Sequence, residues 1–160
     1  MALNHPITQW QGRSVWLIGA SSGIGLATAK ALHAAGARIT VSARKTDLLD
    51  AFVASHSGSQ AIALDVCDTQ AVHAVTQQVA QSHGIDVVVY CSGYYKAVRA
   101  TKYSLGEMTY HQDVNYLGVA RVLDAVLPLL LSQKRGHISL IASVAGYSGL
   151  PNSLAYGPTK

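Results

Sequence analysis

Four side chains in the second half of the chain have the types and spacing for acid–base work on an oxygen atom. Tyr156 and Lys160 stand four apart, the spacing that puts two side chains on one helix face. An ammonium beside a phenol favours the phenolate and draws a group of ordinary pKa about 10 toward a range where it can exchange a proton. Ser143 follows an apolar run and offers a hydroxyl to a polarised oxygen. Asn115 stands one turn before an apolar helical stripe. Taken alone, an Asn there simply faces solvent from its helix. A Y-x-x-x-K pair is common by chance, so these four need a partner that sets them in context.

That partner stands near the other end of the chain. Residues 15–18 read as a buried strand, followed at once by Gly19, Gly23 and Gly25, and then by a helical apolar pattern that Gly36 stops. Strand, tight glycine turn and helix bring backbone N–H groups and a helix N-terminus against a phosphate. Gly19 permits the turn, Gly23 lets a pyrophosphate approach, and Gly25 lets helix and strand pack; Ser21, Ser22 and Ile24 complete the loop. The spacing is G-x-x-x-G-x-G rather than the commoner G-x-G-x-x-G. The same residues also fit G-x-S-x-G, a hydrolase nucleophile elbow on Ser21, with Asp86 and His137 as candidate partners. An elbow on the first strand leaves little sheet before it to build an oxyanion loop, which disfavours that reading.

The elements between these two groups alternate. Strands are expected at 15–18, 38–42, 61–64, 87–90 and 137–141. Helices are expected at 26–35, 46–56, 69–83 (capped by Asp68) and about 105–131, the last kinked or interrupted by Pro128. Such alternation implies right-handed crossovers and a Rossmann-like, doubly wound parallel α/β sheet, with ligands at the carboxyl ends of the strands. After the second strand stand Ser42, Ala43, Arg44 and Lys45. No acid is present there to hold a ribose diol, and the two cations suit a 2′-phosphate; two solvated surface cations are the plain alternative. Asp65 and Val66 follow the third strand, and Cys91, Ser92 and Gly93 follow the fourth.

Composition agrees with one such domain, 1–160. The chain has 160 residues, 49% apolar and 12% charged, which argues for a buried core and against disorder. Its net charge of +4 comes from scattered Lys and Arg, with no basic run to suggest nucleic acid. The two cysteines, Cys67 and Cys91, form no paired motif, and no metal site is expected. Residues 1–12 lack the order of a signal peptide, and the apolar stretch 119–131 is interrupted by charges and short for a bilayer. A protein without membrane attachment, in the cytoplasm, is expected.

With these residues in place, the sequence resembles the short-chain dehydrogenase/reductase family from Ser14 to Lys160. The glycine loop matches the family's TGxxxGxG, with Ile18 where Thr is usual. Asp65 resembles the family's adenine-ring residue, and Asn115-Tyr116-Leu117-Gly118 its N-x-x-G. Ser143, Tyr156 and Lys160 match the rest of its catalytic tetrad. One departure is Tyr90-Cys91-Ser92-Gly93 where the family has N-N-A-G, which removes Asn contacts that tie the strands there; Gly93 still admits the ribose. The other is that the family continues beyond the position of Lys160 through more helix, two strands and a substrate-closing segment.

The resemblance implies an NADP(H)-dependent oxidoreductase, preferring NADP(H) over NAD(H), that interconverts a small-molecule ketone and a secondary alcohol. Tyr156 would be the general acid/base. Lys160 would assist it while holding the nicotinamide ribose, Ser143 would bind the substrate oxygen, and Asn115 would anchor a relay water. Cofactor contacts would come from Gly19, Ser21, Ser22, Gly23, Ile24, Gly25, Arg44, Asp65, Val66, Gly93, Tyr156 and Lys160. Tyr94, Tyr95, Tyr147 and Leu150 could line an apolar substrate pocket or be ordinary loop residues. The alternative function is a non-catalytic NADP-binding sensor or scaffold, since binding and catalysis are separable on this fold. The 160-residue chain itself is expected to be an inactive fragment of a protein that forms homo-oligomers.

Overall fold

The computed structural model describes residues 6–160; the first five residues of the expected leader fall outside the described part. Five parallel strands form one sheet in the order β3-β2-β1-β4-β5, with β1 at Ser14–Ile18, β2 at Arg38–Ala43, β3 at Gln60–Ala63, β4 at Val87–Tyr90 and β5 at His137–Leu140. The central strands β1 and β4 are buried along their whole length, as continuous apolar runs in a parallel sheet require.

Alternate residues of each strand serve opposite layers. Val15 and Leu17 of β1, Ile39 and Val41 of β2, and Val87 and Val89 of β4 pack against α1 (Gly23–Ala34) and α2 (Thr46–Ser55) through Ala29, Leu49 and Phe52. Trp16, Ile18, Val88 and Tyr90 face the other way, onto Val72, Val75 and Val79 of α3 (Thr69–Ser82) and onto Val122, Val126 and Leu130 of α5 (Gly118–Ser132). The indole N–H of Trp16 finds the Ser42 hydroxyl at 3.0 Å, so its burial leaves no open donor. Asp68 caps α3 as expected, accepting from the Ala71 amide at 3.0 Å.

The expected single helix over 105–131 is instead three pieces: α4 at Leu105–Gln112, a π-helical turn at Asp113–Leu117, and α5. Pro128 does not end the helix, which runs on to Ser132. Its ring lies on the exposed face, where water can take the carbonyl freed by the missing N–H. Joined, Leu105–Ser132 is long and apolar enough to cross a membrane by length and composition alone. In the fold, Val122, Ala125, Val126 and Leu130 of this run face the core.

Candidate active site

The strand order reverses between β1 and β4, and a cleft of about 670 Å³ opens at their carboxyl ends. That is where an open parallel sheet leaves room between outward-turning loops. The glycine loop, from Gly19 through Ser21, Ser22, Gly23 and Ile24 to Gly25, forms one wall. Arg44, Lys45, Asp65, Val66 and Gly93 line the rest, together with Cys91, Val114 and Ile141.

Each loop glycine has its own reason. Gly19 adopts φ +89° and lies so close to the main chain of Cys91 and Ser92 that a Cβ would strike the Ser92 amide. A Cβ on Gly25 would strike the Gly19 carbonyl. Gly23, at φ +54°, faces open space, so its backbone is bare toward the cleft. Ser22, at the N-cap of α1, makes no side-chain cap, and the first turn of that helix carries no acid. Its leading amides are therefore left for an anion. With two cations at 44 and 45, no acid at 42–45 and Asp65 farther along the wall, the donor set fits a dinucleotide phosphate chain.

Arg44 donates from Nη1 to the Tyr110 hydroxyl at 2.7 Å, a partner sixty-six residues away that the sequence did not indicate. The Asp65 carboxylate accepts from the Cys67 amide at 3.0 Å, closing the loop after β3 on itself.

Asn115 sits in the π turn and is 3% exposed, contrary to the solvent-facing alternative. Its Oδ1 accepts from the Tyr94 amide at 2.7 Å, while Nδ2 donates to the Tyr94 carbonyl at 2.9 Å and to Thr159 Oγ1 at 2.9 Å. Thr159 Oγ1 in turn donates to the Tyr156 carbonyl at 2.7 Å. One amide thus ties the segment after β4 to the turn that carries Tyr156 and Lys160.

That turn corrects an expectation. Tyr156 and Lys160 do not share an α-helix face: Gly157–Thr159 is a single 3₁₀ turn. Pro158 has no N–H to continue an α-helical ladder, and the Thr159 and Lys160 amides bond three residues back, to Tyr156 and Gly157. The two side chains still meet. Lys160 Nζ lies 5.7 Å from the Tyr156 ring centroid and donates to the Ile141 carbonyl at 3.3 Å. Burial holds the Lys160 ammonium below the usual lysine range, a shift that neighbouring Cys91 partly opposes. Gly93 lies against Lys160 Nζ and Asn115 Oδ1.

Ser143 is half-buried and its hydroxyl caps the short turn Val144–Gly146, accepting from the Ala145 amide at 3.2 Å. Beside Tyr156 lies a hollow of about 450 Å³ lined by Tyr95, Leu150, Pro151 and Ser153, with the Tyr95 ring edge-to-face on Tyr156 at 5.2 Å. Of the four apolar candidates, Tyr95 and Leu150 reach this hollow. Tyr147 is 94% exposed and borders a neighbouring one, and Tyr94 packs against the core with its hydroxyl on Glu107 at 3.0 Å.

The strands at the N-N-A-G position are tied differently from the expectation. Tyr90 reaches across and donates to the Val114 carbonyl in the π turn at 2.7 Å, and Gly118 is the residue that leaves room for that hydroxyl. The hydrolase arrangement is not assembled. Asp86 accepts from the Ser14 amide and His137 opens β5, so both lie at the amino ends of the strands, opposite Ser21. Among the described residues, no three His, Cys, Asp or Glu side chains gather as a metal site, and both cysteines are free.

A reversal-point cleft with a bare glycine loop at a helix N-terminus defines a Rossmann-type nucleotide fold. The family model described as short chain dehydrogenase matches residues 13–160, and the chain belongs to that family of nicotinamide-dependent oxidoreductases. An uncharacterised oxidoreductase of Staphylococcus haemolyticus is 31% identical over 157 residues, covering 96% of this chain and 68% of its own length. A short-chain dehydrogenase from Streptomyces avermitilis superposes with TM-score 0.86 at 33% identity, covering 92% of this chain and 55% of that one. The fold is also shared by ElxO, solved with NADP bound, with TM-score 0.85, 23% identity and coverage of 92% and 62%. The chain spans 63–68% of the length of the curated relatives it matches.

Proposed function

We propose that this chain forms the cofactor cleft and catalytic face of an NADP(H)-dependent oxidoreductase that interconverts a ketone and a secondary alcohol. The observation that carries the reading is that Lys160 Nζ, 5.7 Å from the Tyr156 ring centroid, lies against Gly93 and donates to the Ile141 carbonyl, two residues that line the reversal-point cleft, while Tyr156 itself lines the neighbouring hollow. When bound, a nicotinamide dinucleotide would supply or accept the hydride, and the protein supplies position and proton. The amides of the glycine loop and of the first turn of α1 bind the phosphates, and Arg44 with Lys45 takes the 2′-phosphate.

Ser143 donates its hydroxyl hydrogen to the substrate oxygen while its Oγ goes on accepting from the Ala145 amide. Tyr156 gives its phenolic proton to that oxygen in reduction and takes it back in oxidation. The Lys160 ammonium beside the ring stabilises the phenolate left behind. Asn115 spends both amide hydrogens on Tyr94 and Thr159. Its remaining capacity is a lone pair on Oδ1, which can hold a water, while its bonds fix the turn under Tyr156.

Tyr156→Phe in the whole protein tests the reading. Removing a general acid should lower turnover by about a thousandfold while leaving cofactor affinity within a few-fold of wild type. Unchanged turnover would remove Tyr156 from the chemistry, whereas a wild-type protein that binds NADPH but reduces no ketone would favour the non-catalytic binding module.

A further inference from the structure

We propose that Tyr110 is a positioning residue for cofactor choice, holding Arg44 as the reader of a 2′-phosphate; this rests on the assignment of Arg44 made above. Arg44 and Lys45 both stand exposed at the cleft wall, yet they differ. Among the described residues the Lys45 ammonium has no hydrogen bond or ion pair, whereas the Arg44 guanidinium is fixed by one bond, Nη1 to the Tyr110 hydroxyl at 2.7 Å. A guanidinium carries five N–H donors in a rigid plane. The phenol oxygen takes one, and the remaining donors form a fork available to a phosphate.

Tyr110 can set that plane because it is itself held. Its ring packs against the core and meets Tyr94 edge-to-face at 4.6 Å. Tyr94 is fixed at both ends: its main chain pairs with Asn115, and its hydroxyl donates to Glu107 at 3.0 Å. The Tyr94 ring also meets the fully buried His111 at 4.7 Å. A long, exposed arginine is thus anchored to a stiff post on α4. Ordering the arginine before the ligand arrives removes a cost that NADP binding would otherwise bear and NAD binding would not.

The test measures dissociation constants for NADP and NAD on the whole protein carrying Tyr110→Phe, Arg44→Ala, or both. Phenylalanine keeps the ring on Tyr94 and removes only the acceptor, and NAD affinity serves as the internal check on folding. Tyr110→Phe should weaken NADP about fivefold, the worth of one modest hydrogen bond, with NAD unchanged. The double variant should bind NADP no more weakly than Arg44→Ala alone. A wild-type NADP-to-NAD ratio in Tyr110→Phe, tighter NADP binding, or equal weakening of both cofactors would overturn the proposal. If Arg44→Ala also keeps the wild-type ratio, the phosphate assignment of Arg44 falls with it. If Arg44→Ala collapses the ratio and Tyr110→Phe does not, only the role of Tyr110 falls.

Discussion

At the scale of single residues, the cleft holds a thiol that its surroundings keep quiet. Cys91 lines the cleft, and burial pushes its thiol up to about 11, although the Lys160 ammonium pulls the other way. Cys67 is pushed up to about 12, by burial first and then by Asp113 and Asp65. At pH 7 only about one Cys91 in ten thousand is then the reactive thiolate. Alkylation of both cysteines should be slow at neutral pH and should rise about tenfold per pH unit up to pH 10. NADP should protect Cys91 and spare Cys67, as mass spectrometry of the labelled peptides would show. Rapid labelling of Cys91 at pH 7 would mean that the cleft wall is more open than the structure draws it. A second titration concerns Glu107, whose carboxylate is held below its usual range by the Lys96 ammonium, with help from the Tyr94 hydroxyl. A depressed carboxylate contributes stability above its unfolded pKa, about 4.3, and loses it as pH falls through the folded value. Between pH 5 and 3 the melting temperature of wild type should therefore fall more steeply than that of Glu107→Gln. Parallel curves would leave the pair as a solvated surface contact.

At the scale of elements, the π turn between α4 and α5 is what aims Asn115 inward. Two contacts hold that turn against the sheet: Tyr90 donates to the Val114 carbonyl, and Arg121 donates to the Asp113 carboxylate at 2.6 Å and the Val66 carbonyl at 3.3 Å. Tyr90→Phe should cost about 1–2 kcal/mol of unfolding free energy by removing a buried bond. Gly118→Ala should also destabilise, because its Cβ would meet the Tyr90 hydroxyl and stand 3.0 Å from Val66 Cγ2. The double variant should cost less than the two singles together, since phenylalanine clears the nearest obstacle. Strict additivity in denaturant melts would separate the two contacts. Strands of this kind are legible: Val87–Tyr90 and Ser14–Ile18 follow continuous apolar runs, Arg38–Ala43 follows its β-branched residues, and all five fall within a residue of where the sequence places them. The π turn was not legible, because the apolar stripe from 119 onward keeps its helical spacing on the far side of the extra residue. The turn at 157–159 departs from the expected helix because i, i+4 spacing puts two side chains on one face only where the backbone is helical, and Pro158 works against that. The residues of the cleft wall could be chosen from their places after strands. Tyr110 and Thr159 could not, since each acts through a partner distant in sequence.

At the scale of the whole molecule, the sheet has two edges of unlike character. β3 ends one side with polar Gln60 and packs beside α2. β5 ends the other, pairing only with β4 among the described residues, and its face carries Leu140 at 49% exposure. Nearby in sequence, Val144 and Tyr147 are exposed as well. An apolar strand with one free row of N–H and C=O groups is a template for pairing with another chain. A polypeptide of residues 1–160 alone should therefore self-associate at micromolar concentrations and elute as a mixture in size-exclusion chromatography with light scattering. Leu140→Lys places a charge on that edge without entering the core, so it should shift the mixture toward monomer while leaving the melting temperature nearly unchanged. The cleft lies between β1 and β4, one strand in from this edge, so dinucleotide affinity of the monomer fraction should match between the two forms. A wild-type 1–160 polypeptide that stays monomeric would show that the β5 edge does not drive association, and a Leu140→Lys form that associates equally would locate the sticky surface elsewhere than on β5.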